Sequence, residues 1–286
     1  MPGMSDRSAG FVRSATVVTP CLDAERLIGR TVESVMRQTA VDSGRLDLQY
    51  LVCDGASSDR TLEVVKGACG DRVEILSAPD GGMYDALANG FRRATGDVVS
   101  YLNAGDIYAP AALDVVADVF EGHPSVDWLM GLHVVYNDRG QVIRAHIPFR
   151  CRRRLLRKAL LYKIVPFGVQ QESTFWRREL LSLVDLDQLA KFRLAGDAYL
   201  WQCFARRAEP VMVESYLGGW TRHSGQLSSD MASYLEEMGP YRDRVTPVDL
   251  AVAFYDAAEG CLPPRARKWL SPRRLFRYSW QQKRWM

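Results

Sequence analysis

Residues 80–106 read DGGMYDALANGFRRATGDVVSYLNAGD, a helix pattern followed at once by a strand pattern. The first half sets alanine and leucine at helical spacing over 84–94, directly after a glycine turn. The second half is an apolar run over 97–103 that stops at Gly105 and Asp106. An apolar strand that ends beside a single carboxylate raises the question of what that carboxylate binds.

The rest of the first 120 residues repeats this alternation of strand and helix. β-branched and apolar runs predict strands at 14–19, 46–54, 72–77 and 97–103. Apolar positions at helical spacing predict helices at 24–38, 57–69, 84–94 and 111–120. Further along, 126–147 reads as two strands around an NDRG turn. The alternation predicts an α/β fold with a mostly parallel, Rossmann-like doubly wound sheet that is covered on both faces.

Polar segments follow each of the four predicted strands. They are TPCLDAE at 19–25, DGASSD at 54–59, APDGGMYD at 78–85 and NAGD at 103–106. Because ligands of such sheets bind beyond the carboxyl ends of the strands, these segments are expected to form one site. Neither GxGxxG nor GxxxxGK[ST] occurs there, whereas carboxylates suit Mg²⁺ or Mn²⁺ bridging phosphates. The pattern therefore favours a nucleoside-diphosphate substrate over NAD.

Length and composition are those of a soluble globular protein. The chain has 286 residues, 47% of them hydrophobic and 25% charged. It has no uncharged apolar run of about 18 residues, so no transmembrane helix is expected. Residues 1–12 are expected to be a flexible tail without a signal peptide. The six cysteines have no metal-binding spacing and are expected to be reduced thiols of a cytoplasmic protein.

The net charge of +3 is unevenly distributed. Segments 149–163 and 262–286 hold seven and eight Lys/Arg and no acid, which leaves the remaining chain with 22 basic and 34 acidic residues. Both segments also carry leucine and aromatic residues, a composition that favours an anionic membrane surface. A solvated tail or a nucleic-acid contact is the alternative, but no nucleic-acid-binding motif accompanies the charge, so no nucleic-acid partner is expected.

Seven ordered blocks of the sequence resemble one known family. They are VVTPCLDAERLIGRTVESVMRQT, YLVCDGASSDRT, DGGMYDALANG, ATGDVVSYLNAGD, QESTFWRRELL, LAGDAYLW and GGWTRHSGQLS. Together they resemble the family 2 glycosyltransferases of the GT-A fold, in particular the bacterial branch that builds surface polysaccharides. The resemblance covers roughly residues 14–230.

The resemblance implies a donor site along the strand ends. Asp54 would accept a hydrogen bond from the nucleotide base, although a plain helix-capping role is the alternative. Pro20 and Glu25 would shape the base pocket, and Asp80 and Asp85 would lie near the ribose, diphosphate and sugar. Asp85 could also be a solvated helix residue. The full implied donor set is Pro20, Glu25, Asp54, Asp80, Gly82, Asp85, Asn89, Asn103 and Ala104.

The resemblance also implies a metal site and a base. Asp106 would bind Mn²⁺ or Mg²⁺ as the last acid of a DxD-like motif, and His223 would approach the metal or the diphosphate unless it is a structural histidine. Asn103 and Gly105 stand where many relatives carry acids, and Thr221 stands where arginine is common. The metal site would therefore have one carboxylate and would depend on the donor's phosphates for further ligands.

Asp197 would be the general base, the alternative being a charge favoured at a helix N-terminus. Gln171, Glu172 and Trp176 would contact the acceptor or the donor sugar, unless their segment simply packs as a strand. Residues 13–230 would form the GT-A domain, with a nucleotide-binding half at 13–122 and an acceptor half at 123–230. Residues 231–286 would form a helical, basic-aromatic extension.

These observations predict an inverting, metal-dependent hexosyl- or N-acetylhexosaminyltransferase. Its donor would be a UDP-sugar in preference to a GDP- or dTDP-sugar, and its acceptor a glycan or a polyprenyl-linked glycan. It would work as a peripheral protein on the cytoplasmic face of the cell membrane. One alternative is a sugar nucleotidyltransferase, although the segment after the first strand lacks the usual basic glycine-rich loop. The other is an inactive scaffold of the same fold.

Overall fold

The structure, a computed structural model, describes residues 11–165, 167–222, 230–262 and 275–286. Its strands are β1 Ser14–Cys21, β2 Asp47–Asp54, β3 Glu74–Ser77, β4 Val98–Tyr101, β5 Ile107–Tyr108, β6 Trp128–Met130, β7 His133–Tyr136, β8 Val142–His146, β9 Thr174–Arg177, β10 Val211–Val213, β11 Gly218–Thr221, β12 Leu275–Phe276, β13 Tyr278–Ser279 and β14 Arg284–Trp285. Its α-helices are α1 Ile28–Met36, α2 Thr39–Asp42, α3 Thr61–Cys69, α4 Met83–Arg93, α5 Ala112–Gly122, α6 Arg153–Arg157, α7 Leu186–Leu189, α8 Gly196–Phe204, α9 Met231–Glu237 and α10 Pro247–Gly260.

The main sheet has eight strands in the order β12-β10-β6-β9-β4-β1-β2-β3. Strands β3, β2, β1 and β4 run parallel, and β9 is antiparallel to both β4 and β6. The sheet is therefore mixed and doubly wound, as the sequence predicts. The central strand β1 is buried along nearly its whole length, because helices cover both faces of a parallel sheet.

A smaller sheet lies beside the end of β4 and has the order β5-β11-β7-β8. Strands β7 and β8 form the antiparallel hairpin predicted around the NDRG turn, where Asn137 donates its backbone N–H to Gln141. Strand β5 follows directly after Asp106 and pairs with β11. This pairing brings the chain around Thr221 next to the end of β4, although the two segments are far apart in sequence.

An aromatic cluster fills the core between the main sheet and the second half of the chain. Trp176 on β9 is fully buried, with its ring 5.2 Å from that of Phe204 and 5.8 Å from that of Trp201. Trp128 stacks on Trp201 at 5.3 Å. The expectation that Trp176 contacts a sugar is therefore wrong: its side chain is part of the core, because inward-facing aromatic residues of β9 must cover α8.

The C-terminal extension begins with helices, as predicted, and ends in strands. Helices α9 and α10 cover 231–260, after which β12 joins the main sheet parallel to β10 and β13 pairs with β14. The Phe276 ring stacks on His123 at 4.2 Å, and the carbonyl oxygen of Trp285 lies 3.0 Å from His123 Nε2. Part of the expected membrane-facing tail therefore packs on the domain, whereas Trp280 is 85% exposed.

Basic side chains of the segment 149–163 also form contacts inside the protein. Arg152 pairs with Asp256 at 2.6 Å, and Arg154 and Lys158 both pair with Asp249. These acids belong to α10, which packs on α6. Three of the seven basic side chains expected to face a membrane are therefore paired with acids of α10.

In the part of the chain that the structure describes, no helix has the length and hydropathy needed to span a bilayer. Residues 1–10, most of the tail expected at 1–12, lie outside the described residues.

Candidate active site

A cleft of about 730 Å³ opens at the carboxyl ends of β1 and β4. The first half of the chain contributes Pro20, Asp80, Gly82, Asn103, Ala104 and Asp106 to its lining. The second half contributes His133, Gln171, Glu172, Arg193, Asp197 and Tyr234. The four polar segments predicted at strand ends thus converge on one edge of the sheet. Three of them line the cleft, and the fourth, which contains Asp54, lies directly beside it.

Asp54 ends β2 and is only 2% exposed, just beyond the cleft-lining Cys21. Its carboxylate accepts hydrogen bonds from the Ser57 backbone N–H at 3.2 Å and from the Ser77 hydroxyl at 2.6 Å, and the Ser57 hydroxyl donates to it as well. It therefore organises the loop after β2 and does not cap α3. The Cys21 thiol donates a fourth, weaker hydrogen bond to Oδ1 at 3.8 Å. A carboxylate has about four lone-pair positions, so a ligand N–H would have to replace one of these donors.

The other predicted donor residues divide into two groups. Asp80 lines the cleft and accepts the Gly82 backbone N–H at 2.9 Å; burial, then the charges of Asp85 and Asp54, raise its pKa. Asp85, in the first turn of α4, accepts the Gly81 backbone N–H at 2.9 Å and so holds the glycine turn closed. A carboxylate at a helix N-terminus is also favoured by the helix dipole.

Glu25 and Asn89 point away from the cleft. The Glu25 carboxylate accepts the Arg60 backbone N–H at 3.2 Å and lines a separate surface groove. Asn89 is exposed on α4 and accepts a hydrogen bond from the Arg92 guanidinium at 2.9 Å. One helical turn separates Asn89 from Asp85, but the buried face of α4 turns toward β1. In this structure neither residue contributes to the cleft, contrary to the sequence-based expectation.

Asp106 lies on the cleft wall where β4 leads into β5, and it is 6% exposed. Its Oδ1 accepts the Thr221 backbone N–H at 3.0 Å, a contact that only the β5–β11 pairing makes possible. Burial and the nearby Glu172 carboxyl raise the pKa of Asp106 well above its ordinary value. A buried carboxyl group with a raised pKa favours either a proton or a cation beside it.

The oxygen atoms around Asp106 fit a hard divalent cation. The side-chain Oδ1 of Asn103 is buried and has no hydrogen-bond partner in the structure, and it lies on the same turn as Asp106. Carboxylate and amide oxygens are ligands that Mg²⁺ and Mn²⁺ accept. Among the described residues no cluster of three His, Cys, Asp or Glu side chains is arranged to hold a metal. The remaining ligands would have to come from a bound phosphate or from water.

Asp197 lines the same cleft from the second half of the chain and lies in the first turn of α8. Its carboxylate accepts the Tyr234 hydroxyl at 3.0 Å and the Ala198 backbone N–H at 2.7 Å. Burial raises the pKa of Asp197 to about 6, against the opposing effect of the Tyr234 hydrogen bond. The group is thus mainly ionised at neutral pH and is still basic enough to accept a proton.

Glu172 lies between these two carboxyl groups and is 9% exposed. Burial raises its pKa, and the charge of Asp197 adds to this. Gln171 lines the cleft next to it, whereas the neighbouring Gln170 makes two hydrogen bonds to the Val134 backbone that anchor the segment to β7. Of the three predicted sugar-contacting residues, the cleft therefore receives Gln171 and Glu172.

The cleft residues that the sequence analysis missed include three with polar or charged side chains, Tyr234, His133 and Arg193. Tyr234 belongs to α9, beyond the segment that resembles the family, so no motif marked it. His133 was treated as an ordinary strand residue, but it lines the cleft, and burial together with His146 lowers its pKa to about 3. Arg193 is the only arginine or lysine among the described cleft-lining residues. Its position three residues before α8 begins at Gly196 was the signal available in the sequence.

His223, the remaining predicted metal-site residue, lies outside the described residues. The described chain ends before it at Arg222, whose backbone N–H donates to the Tyr136 carbonyl group at 2.9 Å. Its proposed part in metal or diphosphate binding stays a prediction.

Comparisons with known sequences agree with this geometry. A family model described as Glycosyl transferase family 2 matches residues 16–182. An uncharacterized glycosyltransferase of Mycobacterium tuberculosis is 32% identical over 197 residues, covering 66% of this chain and 67% of the relative. A PGL/p-HBAD biosynthesis glycosyltransferase of Mycobacterium bovis is 27% identical over 206 residues, covering 71% of this chain and 73% of the relative.

Solved structures share the fold. S. aureus TarS 1–349 in complex with UDP-GlcNAc has a TM-score of 0.62 at 15% identity, covering 89% of this chain and 77% of that one. The mannosyltransferase PcManGT from Pyrobaculum calidifontis, in complex with GDP-Man and Mn²⁺, has a TM-score of 0.57 at 19% identity, covering 90% of this chain and 72% of that one. This likeness confirms the expected GT-A fold.

Proposed function

Because the chain belongs to the family 2 glycosyltransferases, we propose that it moves a sugar from a nucleoside-diphosphate sugar to a glycan or polyprenyl-linked acceptor with inversion at the anomeric carbon. The observation that supports this proposal is that two buried carboxyl groups, from distant parts of the chain, line one cleft. Asp106 stands at the end of the parallel strands, where such folds bind nucleotides, and Asp197 comes from the second half of the chain, to which we assign the acceptor.

Asp197 is the group that we assign as general base. An acceptor hydroxyl group placed beside it would pass its proton to a carboxylate oxygen while the hydroxyl oxygen attacks the anomeric carbon. The bond from that carbon to the diphosphate oxygen breaks, and the nucleoside diphosphate leaves with the electron pair. Base catalysis of this kind typically contributes about 10²–10⁴-fold. A single displacement from the face opposite the leaving group accounts for inversion.

The leaving diphosphate needs positive charge and hydrogen-bond donors on its own side of the cleft. Asp106 and the carbonyl oxygen of the Asn103 side chain would hold a divalent cation, which when bound would offset the charge of the diphosphate. Arg193 is the cationic side chain of the described cleft that could reach the same group. Mn²⁺ is favoured over Mg²⁺ only by analogy with the Mn²⁺ complex of the mannosyltransferase neighbour.

A UDP-sugar is the donor that we favour. Asp54 would accept an N–H of the base in place of the weak hydrogen bond from the Cys21 thiol, and uracil, guanine and thymine all offer such a donor. The neighbouring structures hold UDP-GlcNAc in one case and GDP-Man in the other. Their donors support the nucleotide-sugar class, and the preference for uridine rests on the sequence resemblance.

The acceptor is proposed to be carried on a lipid at the inner face of the cell membrane. Two observations support this: a sequence relative is named for glycolipid biosynthesis, and the chain has basic-aromatic composition over 262–286. Docking at the surface would confine the enzyme to the plane in which a lipid-linked acceptor diffuses.

A nucleotide panel tests the proposal directly. UDP-, GDP- and dTDP-sugars would be added with and without Mn²⁺ while unfolding is followed. A ligand at 100 times its Kd stabilises the fold by about 2.7 kcal/mol, which produces an easily measured shift. Release of nucleoside diphosphate from the stabilising donor is then measured with and without acceptor glycolipid. If a donor stabilises the fold but no nucleoside diphosphate is released, the protein is a binding scaffold and not an enzyme. If no nucleotide changes the unfolding temperature, the proposal is contradicted.

A further inference from the structure

Helix α10 has its acidic side chains buried and its apolar side chains exposed. Asp249 is fully buried, Asp256 is 1% exposed and Glu259 is 8% exposed. Asp249 receives hydrogen bonds from Lys158 at 2.6 Å and from Arg154, and Asp256 receives two from Arg152 at 2.6 and 2.8 Å. Asp249 and Asp256 therefore dock the helix on α6 and the residues that flank it.

The opposite face of α10 carries no charge. Every residue whose side chain is described as exposed on this helix is apolar or tyrosine: Pro247, Val248, Leu250, Ala251, Phe254, Tyr255 and Ala258. Phe254 is 78% exposed and Val248 is 56% exposed. These residues recur at helical spacing and form one continuous stripe, and contiguous apolar patches of this kind mark interaction sites.

The sequence that follows α10 is rich in basic residues. Before α10, Arg244 is exposed beside Asp243, which is also exposed. Directly after the helix, the sequence of 263–274 contains five Lys/Arg and no acid. Trp280, in the hairpin that follows, is 85% exposed. Apolar side chains beside acid-free basic sequence match a membrane surface, which offers an acyl boundary and anionic headgroups together.

We propose that α10 is the membrane-docking element, with its exposed stripe in the headgroup boundary of an anionic bilayer. The inference builds on the membrane-associated acceptor of the proposed function and assigns the surface that makes the contact. It also reassigns the basic segment 149–163, whose residues hold α10 in place through ion pairs. Leu156 of α6 lines a small apolar pocket that also contains Asp197, so the docked element adjoins the acceptor side of the cleft.

The test is co-sedimentation of the full chain with vesicles of phosphatidylcholine, with or without phosphatidylglycerol. The parent protein is expected to bind the anionic vesicles and to release them at high salt. A variant with Leu250→Glu and Phe254→Glu places two carboxylates in the stripe and should bind at least about tenfold less. The matched control is Val142→Glu with Ile143→Glu, which adds the same charge at two exposed apolar positions of β8 and should bind as the parent does.

Two further measurements separate the alternatives. Thermal unfolding and donor hydrolysis without lipid should be the same in the parent and in both variants, because none of these residues lines the cleft. Equal vesicle binding by the α10 variant and the parent would overturn the inference. The inference would also be overturned if the parent protein does not bind vesicles and instead forms a dimer in solution that the α10 substitutions dissociate. If the protein binds vesicles but hydrolyses no donor, the proposed function is contradicted while the docking surface on α10 is still supported.

Discussion

Asp106, Glu172 and Asp197 are three carboxyl groups in one cleft, and the pKa of each is raised, mainly by burial. Carboxyl groups in ordinary structural roles are paired with cations, as Asp249 is with Lys158. An arrangement in which acids are buried near one another without such partners costs stability, and it is typical of functional sites.

Replacing Asp197 by Asn tests its role as the base. Asparagine keeps the shape and can still accept the Tyr234 hydroxyl, but it cannot take a proton from an acceptor. Turnover should fall by about 10²–10⁴-fold, while donor affinity measured by nucleotide titration should stay near the parental value. Weak donor binding with normal turnover of the bound donor would show that Asp197 belongs to the donor site.

The pH dependence of the reaction offers a second test. Because the base acts as a carboxylate, kcat/KM should rise with pH and level off above about 6, the pKa of Asp197. The Tyr234 hydrogen bond lowers that pKa, so Tyr234→Phe should move the rising limb to higher pH and leave the plateau rate nearly unchanged. The test is to measure kcat/KM against pH for the parent and for Tyr234→Phe. If the rising limbs of the two profiles coincide, Tyr234 does not influence the pKa of the base.

Asp106→Asn should separate activity from stability. Because the pKa of Asp106 is raised in the folded protein, ionisation of this group lowers the free energy of unfolding. This loss is absent below the ordinary pKa of 3.8 and grows as the pH rises through the folded-state pKa. The variant should lose most activity and all Mn²⁺ dependence of donor binding. It should nevertheless unfold at a higher temperature than the parent at pH 7.5, by about 2–4 °C for each kcal/mol, and the gap should narrow at pH 4.5. A variant that transfers sugar at the parental rate would contradict the metal assignment.

At the scale of elements, α9 fixes the loop that carries the base. The Glu237 carboxylate accepts the backbone N–H groups of Arg193, Leu194 and Ala195 at 2.7, 2.9 and 2.7 Å. These are the residues that lead into α8. Gly196 follows them, and a Cβ atom there would lie 2.4 Å from the Tyr84 ring, so the approach of the loop to α4 requires glycine. Two packed elements therefore determine the position of Asp197.

Glu237→Ala would leave those backbone N–H groups without their acceptor. We expect a loss of about 1–3 kcal/mol in the free energy of unfolding, because partly buried donors would lose their partner. We also expect kcat to fall, because the same loop leads into the helix that carries Asp197. Glu237→Gln should restore part of both, since its amide oxygen can accept. The exposed neighbour Glu236 provides the control, and an equal effect of Glu236→Ala would point to a general property of α9.

At the scale of the whole molecule, ion pairs between α6 and α10 attach the C-terminal extension to the domain. Burial would raise the pKa of Asp249, but hydrogen bonds from Lys158, Thr246 and Arg154 outweigh it and hold this pKa well below its ordinary value. A lowered carboxylate pKa stabilises the fold above the ordinary value of 3.8, and this contribution disappears as pH falls below it.

Asp249→Asn should therefore lower the unfolding temperature at pH 7, and the difference from the parent should shrink as the pH falls below about 4. It should also reduce vesicle binding by loosening α10. Asp243→Asn removes an exposed acid from the segment before α10 and serves as the control. If both variants unfold like the parent across this pH range, the ion pairs of Asp249 do not hold the extension in place.

The order of strands and helices in the first half of the molecule was predictable because local rules govern it. The periodicity of apolar residues predicted β1 to β4 and the helices between them within a few residues of the observed limits. Strand direction and the convergence of Asp80, Asn103 and Asp106 followed from the rule for the carboxyl ends of parallel strands. The placement of Asp197 in the same cleft followed only from the resemblance, since no local pattern links it to Asp106.

Long-range packing decided the rest. Trp176 belongs to the core and Glu25 to a different groove, because the face that a side chain occupies depends on the neighbouring elements rather than on its own segment. The basic segment 149–163 looked like a binding surface until α10 supplied its carboxylates, which lie about 90–100 residues away. The sequence alone determined the fold class, the family and the chemistry of the strand ends. Only the tertiary structure showed which charges were already paired and which apolar face was left exposed, since both depend on contacts between distant parts of the chain.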